Sequence, residues 1–163
     1  MSPQSWNGWW DADVLVYFLD HLEKNYRVDK DRVYFTGLSA GGIGTWGFCT
    51  KYPERVAAMV AIAGSGEGLK NPCNLSDVPV WAFHGDADGT VSPYGSINAV
   101  NNLNKCTPKP DPKAKLTIYP GVGHNSWDRT YDGSGMGKES KSYDPFDISI
   151  YDWFLQYSKK KYR

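Results

Sequence analysis

Short apolar runs alternate with longer amphipathic stretches along most of this chain. Runs rich in β-branched, aromatic and small apolar residues predict strands, and they occupy residues 33–36, 57–63, 79–84 and 115–119. The second run, AAMVAIA, contains no polar residue. Such a run is typical of a parallel strand that is covered on both faces, so the pattern predicts a mostly parallel sheet.

Helices are predicted in the intervals around these strands. They cover residues 11–25, 42–52, 93–104 and a closing segment that ends near residue 157. Asp11 or Asp13 is placed to cap the first helix, and the segment 144–147 is expected to cap the last one. Strands and helices in alternation predict an α/β fold, a sheet flanked by helices. At 163 residues, the length favours a single domain, 1–163.

A Gly-Leu-Ser-Ala-Gly sequence at 37–41 joins the first strand to the helix that follows. In this setting a G-x-S-x-G sequence places its serine on a strained turn with an exposed hydroxyl. The flanking Gly37 and Gly41 are expected because strand and helix pass too close for a Cβ. Ser39 is therefore a candidate nucleophile, and the N–H of Ala40 is a candidate oxyanion donor at the helix start. An ordinary turn serine is the alternative.

A serine nucleophile needs a base and a carboxylate that orients the base. His124 follows the fourth strand after a Pro-Gly-Val-Gly turn, and Asp86 and Asp88 follow the third. Because the carboxyl ends of parallel strands meet at one edge of the sheet, these side chains are expected to converge; both aspartates remain candidates on this ground. His21 is expected at the surface of the first helix, and His84 is expected to make structural hydrogen bonds.

These motifs together resemble the α/β-hydrolase superfamily. The segments that carry the resemblance are RVYFTGLSAGG, FHGDADGTV and GVGHNSW, and the similarity extends over almost the whole chain. More narrowly, the chain is similar to secreted esterases related to polyhydroxybutyrate depolymerases, feruloyl esterases and phospholipase/carboxylesterase-type enzymes. The resemblance implies a triad of Ser39, Asp88 and His124, with Asp88 and Val91 completing an H-G-x-x-D-x-x-V pattern. It implies ester hydrolysis through an acyl-enzyme, without a cofactor.

The resemblance also bears on the roles of further residues. Trp127, three residues past the histidine, is a candidate wall of the substrate pocket, with core packing as the alternative. Resemblance to secreted members implies a disulfide between Cys73 and Cys106 and an oxidising compartment, secreted or periplasmic. Cys49 is expected to be a buried apolar residue. The first residues lack the charged and apolar regions of a signal peptide.

Composition limits the expected partners. The chain has 18 basic and 18 acidic residues, so no overall field attracts nucleic acid or an anionic membrane. No apolar run approaches the roughly 20 residues of a membrane span. The acidic loop at 86–88 faintly resembles a calcium loop, but Ile97 stands where the final glutamate is required, so no metal is expected. The expected partner is an ester, either a small molecule or linked to a polysaccharide.

Only four strands are predicted, whereas the superfamily has further strands before the nucleophile, and a loop among them gives the second oxyanion donor. The chain is therefore expected to correspond to the part of the fold from the helix before the serine onward, without the N-terminal strands. The first strand would then be an exposed edge, which a second copy of the chain is a candidate to cover. Two alternatives to an esterase remain: a serine peptidase of the prolyl-oligopeptidase type, and a non-catalytic hydrolase domain that oligomerises.

Overall fold

The structure is a computed structural model that describes residues 9–159. The helices are α1 (Ala12–Asn25), α2 (Ala40–Lys51), α3 (Tyr94–Leu103), α4 (Trp127–Tyr131) and α5 (Ile150–Leu155). The strands are β1 (Tyr34–Leu38), β2 (Ala58–Ile62), β3 (Val80–Gly85) and β4 (Lys115–Tyr119). The four predicted strands and the first three helices are confirmed, and the N-cap of α1 is Asp11, whose side chain accepts a hydrogen bond from the Asp13 N–H.

The four strands form one parallel sheet in the order β1-β2-β3-β4. Because the strands are parallel, each connection crosses back over the sheet to the end where the previous strand began. The carboxyl ends of all four strands therefore lie at one edge. Among the residues described, β1 pairs with β2 alone. The sequence-based prediction of a mostly parallel sheet with flanking helices is confirmed.

Two apolar clusters cover the two faces of the sheet. The first lies under α1, α2 and α3 and includes Met59 and Ala61 of β2 together with Trp46 and Leu103 of the helices. The second lies under α5 and the segment before it, where Trp81, Phe83, Phe146 and Trp153 pack together. Every residue of β2 and β3 is buried. This two-sided burial explains why β2 is a continuous apolar run and why β3 is apolar up to His84.

The closing helix begins later than predicted. Ser149 is its N-cap, and the Ser149 hydroxyl accepts a 3.1 Å hydrogen bond from the Asp152 N–H. Asp144, in the segment predicted to cap the helix, instead joins β4: its carboxylate accepts the Leu116 N–H, and its own N–H donates to the Leu116 carbonyl, both at 2.8 Å. The prediction was wrong because the outer backbone groups of β4 also need partners, and Asp144 supplies them.

A disulfide connects two of the crossover segments. Cys73 and Cys106 are bonded, as the resemblance implied, and they link the turn after β2 to the residues after α3. Cys49 is free and buried, as expected. Within residues 9–159, no helix combines the length and the apolar character needed to cross a membrane.

Candidate active site

Ser39 lies in the sharp turn between β1 and α2. Its backbone has φ 51° and ψ −121°, a region that residues other than glycine seldom adopt. The Ser39 N–H donates to the Ile62 carbonyl at 2.9 Å, and the Ser39 carbonyl accepts the Ile43 N–H at 3.0 Å. The turn is thus bonded to β2 on one side and to α2 on the other, and these bonds hold the strained conformation.

One of the two glycines predicted to allow close approach near the serine is required, and the other is replaced in this role by its neighbour. A Cβ on Gly37 would lie 2.3 Å from the Gly41 carbonyl oxygen, and a Cβ on Gly42 would lie 2.9 Å from the Ile62 carbonyl oxygen. On Gly41 the nearest atom to a Cβ would be Trp10 Nε1 at 3.9 Å, an ordinary contact. The expectation of close approach is confirmed at Gly37 and wrong at Gly41, because α2 meets the sheet through Gly42.

Three of the predicted site residues lie in hydrogen-bond contact. His124 Nε2 is 2.9 Å from Ser39 Oγ, and His124 Nδ1 is 2.8 Å from Asp88 Oδ2. Asp88 is buried, whereas His124 and Ser39 are partly exposed. With Nδ1–H donating to the carboxylate, the lone pair of Nε2 faces the serine hydroxyl. A base in this state is oriented to accept the proton of the hydroxyl.

The Asp88 carboxylate has four hydrogen-bond donors. Oδ1 accepts the N–H groups of Thr90 at 2.8 Å and Val91 at 2.9 Å, and Oδ2 faces the rings of His124 and His84. Burial by itself raises the pKa of Asp88, but the bonds from His124 and the two backbone amides outweigh it, and the pKa lies below its usual value. The carboxylate is therefore ionised near neutral pH.

Asp86, the other candidate acid, is exposed and has a different set of contacts. Its Oδ1 accepts the Gly121 N–H at 2.7 Å, and its own N–H donates to the Tyr119 carbonyl at 3.1 Å. The neighbouring Ala87 N–H donates to the Val122 carbonyl at 3.0 Å. These bonds join the loop after β3 to the turn after β4, so Asp86 supports the segment that leads to the histidine.

The site bridges the whole width of the sheet. Ser39 follows β1 and His124 follows β4, the two outermost strands, and three strand spacings amount to about 14 Å. For Oγ and Nε2 to lie 2.9 Å apart, the turn after β4 must lean back across the end of β3. Helix α4 continues in the same direction, and its Tyr131 hydroxyl lies 2.9 Å from Thr36 Oγ1 of β1.

Trp127 and Ala40 lie next to the contacting residues. The Trp127 ring packs edge-on against the His124 ring, with centres 5.1 Å apart and planes at 89°. Trp127 also packs against the cluster under α5, so the site and the core meet at this residue. Ala40 is the first residue of α2, and its N–H belongs to the first turn, where amides have no intrahelical acceptor.

The two remaining histidines occupy different surroundings. His21 lies on α1, where its side chain contacts Asn25. His84 is buried and hydrogen-bonded, as expected, but one of its partners is Asp88, a contact that the sequence analysis missed. The i, i+4 spacing within the H-G-x-x-D motif was the available signal. No group of three or more His, Cys, Asp or Glu residues that could hold a metal ion occurs in the described part of the chain.

Comparisons with known proteins agree with this architecture. Over 126 residues the chain is 28% identical to a homoserine O-acetyltransferase of Trichlorobacter lovleyi, covering 77% of this chain and 30% of that protein. It is 25% identical to poly(3-hydroxyalkanoate) depolymerase C of Paucimonas lemoignei, covering 78% of this chain and 40% of that protein. The chain therefore spans less than half the length of either relative.

A solved structure and a family model extend these similarities. The crystal structure of esterase PE8 superposes with a TM-score of 0.58 and 27% identity, covering 70% of this chain and 52% of that one. Its likeness supports an α/β-hydrolase fold for the sheet and helices described above. The model of the dienelactone hydrolase family matches residues 11–157, which include all four strands and the contacting serine, aspartate and histidine. The chain belongs to the dienelactone hydrolase family.

Proposed function

We propose that this chain carries a serine esterase site that hydrolyses carboxylic esters through an acyl-enzyme. The observation that supports the proposal most directly is the pair of contacts between Ser39 and His124, at 2.9 Å, and between His124 and Asp88, at 2.8 Å. Membership of a hydrolase family and similarity to an esterase point in the same direction.

In the proposed first step, Ser39 Oγ attacks the ester carbonyl while His124 Nε2 accepts the hydroxyl proton. Asp88 keeps Nδ1 protonated and stabilises the imidazolium that forms. The Ala40 N–H donates to the oxyanion of the tetrahedral intermediate. His124 then gives its proton to the leaving alcohol, and the C–O bond to that alcohol breaks.

In the second step a water molecule attacks the acyl-enzyme. His124 accepts one proton of the water as the new C–O bond forms, and it returns that proton to Ser39 Oγ as the acid departs. These steps use side chains, one backbone amide and water. Trp127 is proposed as the wall beside the imidazole, and the substrate class is a small or polysaccharide-linked ester.

The number of oxyanion donors affects the expected rate. Ala40 is the one donor proposed among residues 9–159, and removing one donor from an oxyanion hole typically costs about 10²–10³ in turnover. With this single donor, ester turnover is expected to be slow, so covalent labelling is a more sensitive test than product formation.

The test is labelling of the 163-residue chain with a fluorophosphonate, which reacts with activated serines. We expect the wild type to be labelled, Ser39→Ala to be unlabelled and His124→Ala to be labelled much more slowly. The matched control is Ser142→Ala, which removes an exposed hydroxyl from another loop and should leave labelling unchanged. Panels of aryl esters and aminoacyl anilides then distinguish an esterase from a peptidase.

Two outcomes would contradict the proposal. Absence of labelling in a protein that is folded by circular dichroism would indicate a non-catalytic domain. Labelling that persists in Ser39→Ala would assign the reactivity to a different residue.

A further inference from the structure

His84 is a fully buried histidine whose ring contacts the proposed catalytic acid. Its Nε2 lies 3.1 Å from Asp88 Oδ2 and 3.0 Å from the Val91 carbonyl oxygen. Its Nδ1 lies 2.8 Å from Ser96 Oγ. Both ring nitrogens therefore have polar partners, and the mechanism proposed above uses neither of them.

The partners of Nε2 determine where one ring proton lies. An ionised Asp88 carboxylate and the Val91 carbonyl are acceptors only. Nε2 must therefore carry a hydrogen in order to bond to either of them. In the tautomer protonated at Nδ1 alone, the lone pair of Nε2 would face two acceptor oxygens. Because the ring is fully buried, this repulsion would cost free energy that solvent could not offset. His84 is thus a donor to the carboxylate.

The other side of the ring is compatible with a neutral imidazole. Ser96 Oγ lies 2.8 Å from the Gly64 carbonyl oxygen as well as from Nδ1, so its single proton has two acceptors within reach. Burial lowers the pKa of His84 and outweighs the opposite effects of the Val91 carbonyl and the Asp88 carboxylate. A neutral ring with Nε2 protonated fits this environment when the Ser96 proton points at Nδ1 and not at the Gly64 carbonyl.

We propose that His84 is a positioning residue that holds the acid of the triad, an inference that rests on the proposed function. Its Nε2–H bonds to the same oxygen that accepts from His124, while the amides of Thr90 and Val91 hold the other oxygen. The carboxylate of Asp88 cannot rotate without breaking these bonds. The oxygen that orients the imidazole is therefore fixed before a substrate binds.

The test compares His84→Gln with His84→Met. The two side chains are unbranched and similar in length, but only the glutamine amide donates to Asp88 and accepts from Ser96, as the neutral ring does. We expect the fluorophosphonate rate constant, expressed per reactive site, to fall roughly 10-fold or more in His84→Met, by analogy with outer-shell partners of metal-bound imidazoles. His84→Gln should largely restore it, and KM for an aryl ester should change little in either variant.

Expressing the rate per reactive site separates lost geometry from lost folded protein. Circular dichroism and urea unfolding of both variants accompany the measurement. Equal rate constants for His84→Gln and His84→Met, whether both fast or both slow, would overturn the proposal, because the donor would then make no difference.

A second measurement uses the wild-type protein and does not require activity. Proton–nitrogen correlation spectra of isotope-labelled protein report which imidazole nitrogen is protonated, and the His84 signals are identified by their absence in His84→Gln. Protonation of Nε2, in a neutral or a charged ring, supports the proposal. A ring protonated at Nδ1 alone would overturn it. If the wild type does not react with the fluorophosphonate, the spectra still show whether His84 Nε2 donates to Asp88, independently of the proposed esterase function.

Discussion

At the scale of single residues, hydrogen bonds from backbone groups position two of the residues at the candidate site. The turn at Ser39 is held by hydrogen bonds to Ile62 and Ile43, and one oxygen of Asp88 is held by two amides. Backbone groups have fewer rotatable bonds than side chains, so these contacts position Ser39 and Asp88 firmly. The imidazole of His124 lies between these two residues and bonds to both.

The close approach at Gly37 leads to the first prediction. Gly37→Ala should lower the free energy of unfolding by about 1–3 kcal/mol, the usual cost of forcing a group into filled space, because its Cβ would meet a backbone carbonyl at 2.3 Å. Gly41→Ala is the matched control. It has room for a Cβ, and alanine favours a helix over glycine by about 1 kcal/mol. Urea unfolding measures both, and equal destabilisation would contradict the prediction.

The burial of His84 predicts how stability depends on pH. The pKa of folded His84 is lowered from 6.5, so just below that pH the unfolded chain binds a proton that the folded chain does not. The free energy of unfolding should therefore fall as the pH drops from 8 through 6.5. The lowered pKa of Asp88 acts in the same direction, but only below 3.8.

Urea unfolding of wild type and His84→Gln between pH 8 and pH 5, roughly the range in which histidine titrates, isolates this contribution. His21 and His124 are present in both proteins, so the difference between the two curves reports mainly on His84. The wild type should lose more stability than the variant as the pH falls. A constant difference across the range would show that His84 does not contribute.

Most of the residues that meet at the candidate site could be predicted from the sequence, but their detailed contacts could not. Ser39 and His124 were identified by local motifs, each next to a strand end. The choice of Asp88 over Asp86 needed the family pattern, because both aspartates follow β3 and only tertiary contacts separate them. The bond between His84 and Asp88 was missed because burial of a polar side chain is not visible in one sequence.

At the scale of elements, the loops after β3 and β4 act as one unit. Backbone and side-chain hydrogen bonds from Asp86 and Ala87 join the two loops. A Cβ on Gly85 would lie only 2.1 Å from the Val122 carbonyl oxygen. This close packing supports the turn that leans toward the serine. Helix α4 adds a contact to β1 through Tyr131, so the histidine segment is supported at both ends of the sheet.

The disulfide between Cys73 and Cys106 leads to a prediction about stability. The two cysteines are 33 residues apart in sequence, and a crosslink of that span is expected to stabilise the fold by about 3–4 kcal/mol through the unfolded state. Cys73→Ser with Cys106→Ser should lower the free energy of unfolding by this amount. Dithiothreitol should lower the stability of the wild type to the same level and leave the double variant unchanged. A stability that reductant does not alter would contradict the prediction.

Strands were easier to predict than the ends of helices. Burial on both faces gives β2 and β3 apolar runs that are recognisable without any structure. The start of α5 was misplaced because Asp144 and Ser149 are both good capping residues. Pairing of Asp144 with β4, a contact between segments distant in sequence, decides between them.

At the scale of the whole molecule, the outer side of β1 stands out, because no strand within residues 9–159 pairs with it. The Val33 carbonyl and the Ser39 N–H bond to β2, so by alternation the backbone groups of Tyr34, Thr36 and Leu38 point away from it. Thr36 and Leu38 are also exposed. Edges of this kind pair readily with another chain.

We predict that the chain associates with a second copy through this edge. Light scattering after size exclusion should give a mass above the 18.3 kDa of one chain. Thr36→Lys, which places a charge at the centre of the edge, should shift the mass toward the monomer. Ser142→Lys adds the same charge on another loop and is the control. A wild type that stays monomeric at high concentration would contradict the prediction.

The order of the strands in the sheet also bears on how the protein is made. Because β1 to β4 lie side by side in chain order, each strand that emerges from the ribosome is the neighbour of the strand before it. The proposed nucleophile and its proposed base are separated by 85 positions, and the base follows the last strand. A nascent chain that has folded through β3 thus holds the serine and the acid without the imidazole. On the proposed mechanism, the serine of such a chain would not be activated until β4 and the histidine after it had emerged.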